Sequence, residues 1–341
     1  MTEIGVGLVG YGLGGRVFHA PFVAATPGLR LRAVVSGDPA KVQADWPGMA
    51  VVPSIEALLA LPGIDLVVVS SPDHLHADHA LQALAAGKHV VVDKPFATTL
   101  DDARRITAAA EAAGRLLTVF HNRRWDADFL TLQDLIASGR LGEVVHLDSH
   151  FDRWRPQAAP VWKEAREGGS WQDLGPHLID QALCLFGVPQ AVSADIATLR
   201  PGAPAPDWFH VVLHYPGRRA TLHGSKLAAD HGLRFAVHGT GGSWIKHGLD
   251  PQEGAILAGQ RPGDAGWGID PLPGLLTGGE PGTTPGPHPN RPGDYRLFWQ
   301  ALVAALRGEG TNPVPPGEAL AVMEVLAAAQ RSAAQGRTIA L

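Results

Sequence analysis

The chain of 341 residues is longer than one hydrophobic core usually supports, so two domains are expected. Its composition, 45% hydrophobic and 18% charged, is that of a globular protein, and a net charge of −5 with no basic block or basic helix argues against nucleic acid or an anionic membrane as partner. One cysteine, Cys184, excludes an internal disulfide and, lying in an apolar helical stretch, reads as a small buried side chain in a reducing compartment.

Glu3 is followed at once by an apolar strand, with no basic region or cleavage site. No apolar run approaches the roughly 20 residues of a membrane helix, so a cytoplasmic protein is expected. Ile4 to Phe18 read IGVGLVGYGLGGRVF, a strand running into Gly10, Gly12 and Gly15 at G-x-G-x-x-G spacing and then into a helix. That layout suits a dinucleotide pyrophosphate: the turn is tight, the backbone must approach the phosphates, and the helix start offers unpaired N–H groups. Further strands are expected at Leu31 to Val35, Asp65 to Ser70, His89 to Val92 and Leu116 to Phe120, alternating with Ala-rich helices. This is the pattern of a parallel sheet. Thr99 with Asp102 marks one helix start as a short capping box, and Gly87 and Gly114 mark helix ends.

After residue 123 the pattern changes. Val145 to Asp152, Phe209 to Tyr215, Arg219 to His223 and Leu233 to His238 alternate apolar and polar residues, as in a mainly antiparallel sheet with one wetter face. A helix is expected from Leu174 to Phe186, with Pro176 in its first turn and Gly187 and Pro189 ending it. Asp250 to Asp294 is dense in Gly and Pro and reads as a long ordered loop or lid, and helices at Tyr295 to Leu306 and Glu318 to Ala334 close the chain.

Three groups of residues carry chemical possibilities. Lys94, one of six lysines, ends the strand of VVVDKPF, and strand carboxyl ends are where ligands sit in an open parallel sheet; the Lys94–Pro95 bond is expected to be cis. Asp173 and His177 lie four apart on one helical face, with Asp180 and Gln181 a turn further. They suit either a proton-accepting site or an ordinary helix-start acid with a satisfied histidine. His74, His76 and His79 cluster without H-E-x-x-H or paired cysteines, so no metal is expected there.

Taken in order, GYGLGGRVFH, SSPDHLHADHA, GKHVVVDKPF, VFHNRRWDADFL and GGSWQDLGPHLIDQAL resemble the Gfo/Idh/MocA family, the glucose-fructose oxidoreductase and inositol dehydrogenase group, over essentially the whole chain. HNRRWDADFL and HGLDPQE are most similar to the bacterial branch that contains the NADP-type scyllo-inositol dehydrogenases. The resemblance implies an α/β protein: a Rossmann doubly wound parallel sheet over residues 1–122, then an α+β substrate and oligomerisation domain over 123–341 with a large open, mainly antiparallel sheet. The C-terminal helices are free to pack back on the first domain.

It further implies an NAD(P) cofactor held by Gly10, Gly12, Leu13, Gly15, Ser36, Ser71, Pro72, His76, Asp93, Lys94 and Pro95. Asp93 replaces the glutamate of the family's E-K-P motif. His177 is implied as the base, Lys94 as the group polarising the substrate oxygen, and Asp173 as a positioning acid. Arg124, Trp125, Trp154, Arg155, Trp162 and Trp171 are the candidates for shaping a sugar-sized pocket, core packing being the alternative for any tryptophan. The implied reaction is reversible hydride transfer with a secondary alcohol of a cyclic polyol or sugar, in a homodimer or homotetramer. A reductase of a non-sugar carbonyl, a non-catalytic dinucleotide sensor and an NAD-using glycosidase are the rivals on this scaffold. At the second strand Ser36 and Gly37 stand where NADP-using relatives place an arginine, and Asp38 follows, so the preference between NAD and NADP stays open.

Overall fold

Strand Ile4–Val9 (β1) begins a sheet of six parallel strands in the order β3-β2-β1-β4-β5-β6. The others are β2 (Leu29–Val35), β3 (Ala50–Val52), β4 (Leu66–Val69), β5 (His89–Val92) and β6 (Leu117–Val119). The computed structural model describes residues 3–158, 168–230 and 232–341. The chain divides into two units, the first made of Met1–Trp125, Gln252–Trp267 and Asp294–Leu320, the second of Asp126–Pro251, Gly268–Gly293 and Ala321–Leu341.

In the first unit the central strands are continuous Val and Leu runs, as burial on both faces requires; Leu66 to Val69 are all inaccessible. Helices α1 (Ala20–Ala25), α2 (Pro39–Asp45), α3 (Ile55–Leu59), α4 (His76–Ala85) and α5 (Leu100–Ala113) connect them. Side chains of Asp38, Ser54 and Thr99 cap α2, α3 and α5 by accepting from backbone N–H groups. In the expected box at Thr99, Asp102 accepts from the Thr99 hydroxyl at 2.8 Å. The later segments complete this unit. Tyr295 and Trp267 pack on Phe22, and Asn312 donates to Leu117 O (2.8 Å) while Thr118 donates to Val314 O (3.0 Å), covering the β6 edge.

The second unit is built on nine strands in the order β14-β13-β12-β11-β7-β10-β9-β8-β15, antiparallel throughout except for the β7/β10 pair. They are β7 (Val144–His150), β8 (Ala191–Ala197), β9 (Trp208–Tyr215), β10 (Arg218–Ser225), β11 (Leu233–Gly239), β12 (Gly242–His247), β13 (Gly274–Gly278), β14 (Gly286–His288) and β15 (Ile339–Ala340). Helix α6 (Ala127–Ala137) precedes β7, and α7 (Gly169–Phe186) packs on β9 and β10. Leu147, Ala220, Leu222, Val211 and Leu213 face the core, and the alternate positions His146, Asp148, His150, Arg219, His210 and His223 form the wetter face. A buried cluster joins sheet to helices. Arg234 bonds Asp128 (3.1 Å), Ser149 Oγ (2.9 Å) and Gln181 Oε1 (2.5 Å), and its guanidinium lies 3.9 Å from the Phe235 ring centroid.

Four expectations need correction. Helix α7 starts at Gly169, not Leu174, so Pro176 sits in the helix interior, where it removes the helical donor to the Gln172 carbonyl. The stretch 250–294 is not one loop: it holds α8 (Gln252–Leu257), β13 and β14. Cys184 is exposed, because the buried face of α7 runs through Leu178 and Ala182 and the cysteine lies off it. Gln181 belongs to the Arg234 cluster rather than lining a site with His177. Helices α9 (Arg296–Leu306) and α10 (Pro316–Gln335) close the chain. Among the described residues no helix is long and apolar enough to cross a membrane.

Candidate dinucleotide and catalytic site

In the first unit the predicted cofactor residues gather at the carboxyl ends of β1, β2, β4 and β5, around the β1/β4 boundary where the strand order reverses. Gly10 turns with φ +99°, and a Cβ there would stand 2.5 Å from Ser70 O. Leu13, half exposed, precedes a π-type helical segment, Gly14–His19, that runs straight into α1. A Cβ on Gly15 would overlap the Gly10 carbonyl, so the segment packs directly on the turn. A Cβ on Gly12, by contrast, meets no protein atom within 4 Å. Two closed glycines around an open one, at the start of a helix, fit a pyrophosphate pressed onto backbone N–H groups.

Gly14, which the motif spacing does not include, is pressed on a polar cluster. A Cβ there would lie 2.6 Å from Ser70 Oγ and 2.7 Å from Asp93 Oδ2. Asp93 Oδ2 accepts from Ser70 Oγ (3.1 Å) and lies 3.1 Å from His19 Nε2, while its Oδ1 accepts from the Lys94 N–H (2.8 Å). Burial alone would raise this carboxyl, but His19, then His76 and Lys94, hold it well below the ordinary carboxylate range. His19 is fully buried against Phe120 and Trp299 in the π-type segment, an irregularity common at functional sites. A polar ring in the apolar run VFHAPF was the available signal for it. Asp93 thus orders the strand end from which Lys94 projects, and the Lys94–Pro95 bond is cis as expected.

The loop after β4 carries the next group. His76 is buried, with Nδ1 2.8 Å from Pro95 O and Nε2 2.9 Å from Ser71 O, and burial lowers its pKa. His79 Nδ1 lies 2.9 Å from Ser71 Oγ. Pro72 leads into the short turn Asp73–Leu75. His76 is therefore spent on tying the Ser71 loop to Pro95. After β2, Ser36 Oγ bridges the backbone of Asp38, whose carboxylate accepts from Lys41 N at 3.1 Å and caps α2, while Gly37 has open space around it. Arg16 forks onto Asp45 at 2.7 and 2.9 Å, and Tyr11 donates to the same carboxylate at 2.9 Å, tying the glycine turn to α2. Burial and Asp45 push the Tyr11 phenol well above its usual value.

Arg124 and Trp125 also belong to the first unit. Arg124 pairs with Glu318 at 2.7 Å, and Trp125 packs edge-on to Phe298 while its carbonyl accepts from Asp294 N and Gln252 Nε2. In the second unit Asp173 and His177 lie one turn apart on α7, the acid half-buried and the imidazole buried. Asp180 is buried a turn further. Trp171 is wholly buried, packing on Phe209 and donating to Leu326 O at 3.2 Å, so it is core rather than pocket wall. Trp154 and Arg155 are exposed and continue pairing with the 226–227 segment, and the Arg155 carbonyl accepts from Arg200. Trp162 lies outside the described residues.

Residues 4–121 match the oxidoreductase family described as an NAD-binding Rossmann fold, and residues 133–341 match its C-terminal alpha/beta domain. The chain is 48% identical over 342 residues to the uncharacterized oxidoreductase YdgJ of Escherichia coli, covering 99% of both. It is 37% identical over 350 residues to the scyllo-inositol 2-dehydrogenase (NADP(+)) IolW of Bacillus subtilis, covering 100% of this chain and 97% of that one. The crystal structure of a putative oxidoreductase from Klebsiella pneumoniae superposes with a TM-score of 0.94 at 49% identity, covering 100% of this chain and 96% of that chain. With a glycine turn built for a dinucleotide and both halves matched in order, this chain belongs to the Gfo/Idh/MocA family of NAD(P)-dependent oxidoreductases.

Proposed function

We propose that the enzyme moves hydride between the nicotinamide and a secondary alcohol carbon of a cyclic polyol or sugar of the inositol type. The observation that carries this reading is the Asp173–His177 pair on α7 in a chain similar over its whole length to a scyllo-inositol 2-dehydrogenase. When bound, the cofactor supplies the hydride acceptor or donor. His177 takes the hydroxyl proton as the C–H hydride departs, an imidazole being matched to that task near neutral pH. Lys94 places its ammonium toward the oxygen whose negative charge grows as the proton leaves, and Asp173 accepts from a neighbouring substrate hydroxyl. Gly10, Gly12, Leu13 and Gly15 seat the pyrophosphate, the 71–76 loop and Pro95 frame the nicotinamide end, and Ser36 meets the adenosine ribose. Arg124, Trp125, Trp154 and Arg155 are the proposed substrate contacts.

The test is the initial rate of nicotinamide reduction with scyllo-inositol, myo-inositol and common aldoses, each with NAD and NADP. Turnover on an inositol is expected, with His177→Gln and Lys94→Ala each lowering kcat by about 10²–10⁴-fold and His177→Gln keeping cofactor binding. Silence on every polyol with reduction of a simple ketone or aldehyde would overturn the polyol reading, and near-normal turnover by His177→Gln would overturn the assignment of the base.

A further inference from the structure

On the wetter face of the second unit, away from α7, two strands bring three metal-ligating side chains together. His150 ends β7 and stands opposite His223 of β10 in the parallel register. The pairing continues past β7, with Phe151 N bonded to His223 O (2.9 Å) and Arg153 N to Ser225 O (2.8 Å), so Asp152 stays on the face of His150. His150 Nδ1 is then 3.1 Å from Asp152 Oδ2, and His223 Nε2 is 3.5 Å from Asp152 Oδ1. One ligand atom from each of the three residues lies within 4.8 Å of the other two, the only such group among the described residues.

We propose that His150, Asp152 and His223 bind a divalent first-row transition ion of the zinc type, with water in the remaining position. Zinc takes imidazole nitrogen and carboxylate oxygen at about 2.0–2.2 Å in a tetrahedron, which sets neighbouring donors about 3.3 Å apart. The gaps from the two imidazoles to Asp152, 3.1 Å to Oδ2 and 3.5 Å to Oδ1, lie on either side of that spacing, each to a different carboxylate oxygen. The site is recessed without being sealed: the Asp152 side chain is 8% exposed, His223 17% and His150 21%. Asp152 Oδ1 is buried and makes no hydrogen bond, an arrangement a cation would satisfy. The Trp208 and His210 rings wall the His223 side at 5.7 and 5.9 Å between centroids. The same face carries a second histidine–carboxylate contact, His146 Nε2 to Asp148 Oδ1 at 3.0 Å, which among the described residues has no third ligand atom at the same spacing and serves as an internal control.

The experiment uses the full-length protein, stripped with a chelator and titrated with Zn²⁺ by calorimetry and with Co²⁺ by visible absorption. One ion per chain is expected, with the intense d–d bands of a four-coordinate cobalt. His223→Ala and His150→Gln are each expected to weaken binding about 100-fold or more, while His146→Ala leaves it unchanged. Two variants at different ligands, each checked by circular dichroism, keep the test valid if one fails to fold. Absence of a saturable site, or equal loss in His146→Ala, would overturn the proposal and leave a hydrogen-bonded His–Asp–His trio. Metal binding rather than turnover is the readout, so the result is independent of the hydride-transfer reading.

Discussion

Replacing Gly12 and, separately, Gly14 by alanine separates the space kept for the cofactor from the space the protein fills itself. At Gly12 a methyl group meets no protein atom within 4 Å, and the residue needs no left-handed conformation. Gly12→Ala is therefore expected to hold or slightly raise stability, by up to about 1 kcal/mol through the unfolded chain. On the pyrophosphate seating proposed above, that methyl stands where a phosphate oxygen approaches the backbone. Losing one charge-assisted N–H bond, about 1.5–3 kcal/mol, corresponds to about 10- to 150-fold weaker binding. At Gly14 the methyl would press on Ser70 Oγ and Asp93 Oδ2 at 2.6 and 2.7 Å, and the carboxylate can yield only by loosening its bonds to Ser70 and Lys94 N. Overpacking of that kind costs about 1–3 kcal/mol, with up to about 1 returned by the better helix former. The net loss, about 1–2 kcal/mol, corresponds to a fall in Tm of roughly 2–8 °C for a unit of this size. Thermal unfolding by circular dichroism reads the first quantity, and fluorescence titration with NADH and NADPH the second. If Gly12→Ala bound both nucleotides like the wild type, the pyrophosphate would not lie on this turn; if Gly14→Ala left Tm unchanged, the contact with Asp93 would not be tight.

Three other outcomes are expected. Arg234→Met strands Asp128 in the core beside Ser149 and Gln181 and is expected to cost about 3–5 kcal/mol in chemical denaturation, with the double change Arg234→Met and Asp128→Leu recovering much of it; equal losses in both would refute the stranded-charge argument. His76 titrates below its ordinary 6.5 because it is buried, so the unfolded chain takes a proton first and stability falls as pH drops from about 6.5 through the folded value. His76→Gln is expected to flatten that slope in urea midpoints between about pH 7 and pH 5, and an unchanged slope would refute it. Gly37→Arg enters open space after β2 and is expected to shift the kcat/KM ratio toward NADP by at least about 10-fold, whereas no shift would place the ribose elsewhere.

What was legible in the sequence is what local pattern encodes. The Val-rich strands, the glycine turn and the cis bond before Pro95 all follow from neighbours within a few residues. The three-residue β3 is too short to show a period, and β13 and the edge strand β14 hide in a stretch dense in glycine and proline. The helix already starts at Gly169, after the left-handed Gly168, and runs on to the buried Trp171, where a glycine pair hides it, and Pro176 imitates a helix start. The partners of Asp93 lie 23 and 74 residues away at Ser70 and His19, and those of Asp152 include a histidine one strand pairing later; only register brings such residues together.

The chain passes between its two units five times, at 125, 251, 267, 293 and 320. During synthesis the parallel sheet therefore emerges early but stays unfinished, with Phe22 lacking its cover and the β6 edge unpaired, until the segments around Trp267, Tyr295 and Val314 have left the ribosome. That interval exposes apolar surface and a bare strand edge, the usual starting point of aggregation in large proteins. A fragment ending at the first crossing inherits the same defect permanently, so chimaeras between relatives must exchange all three segments of a unit together.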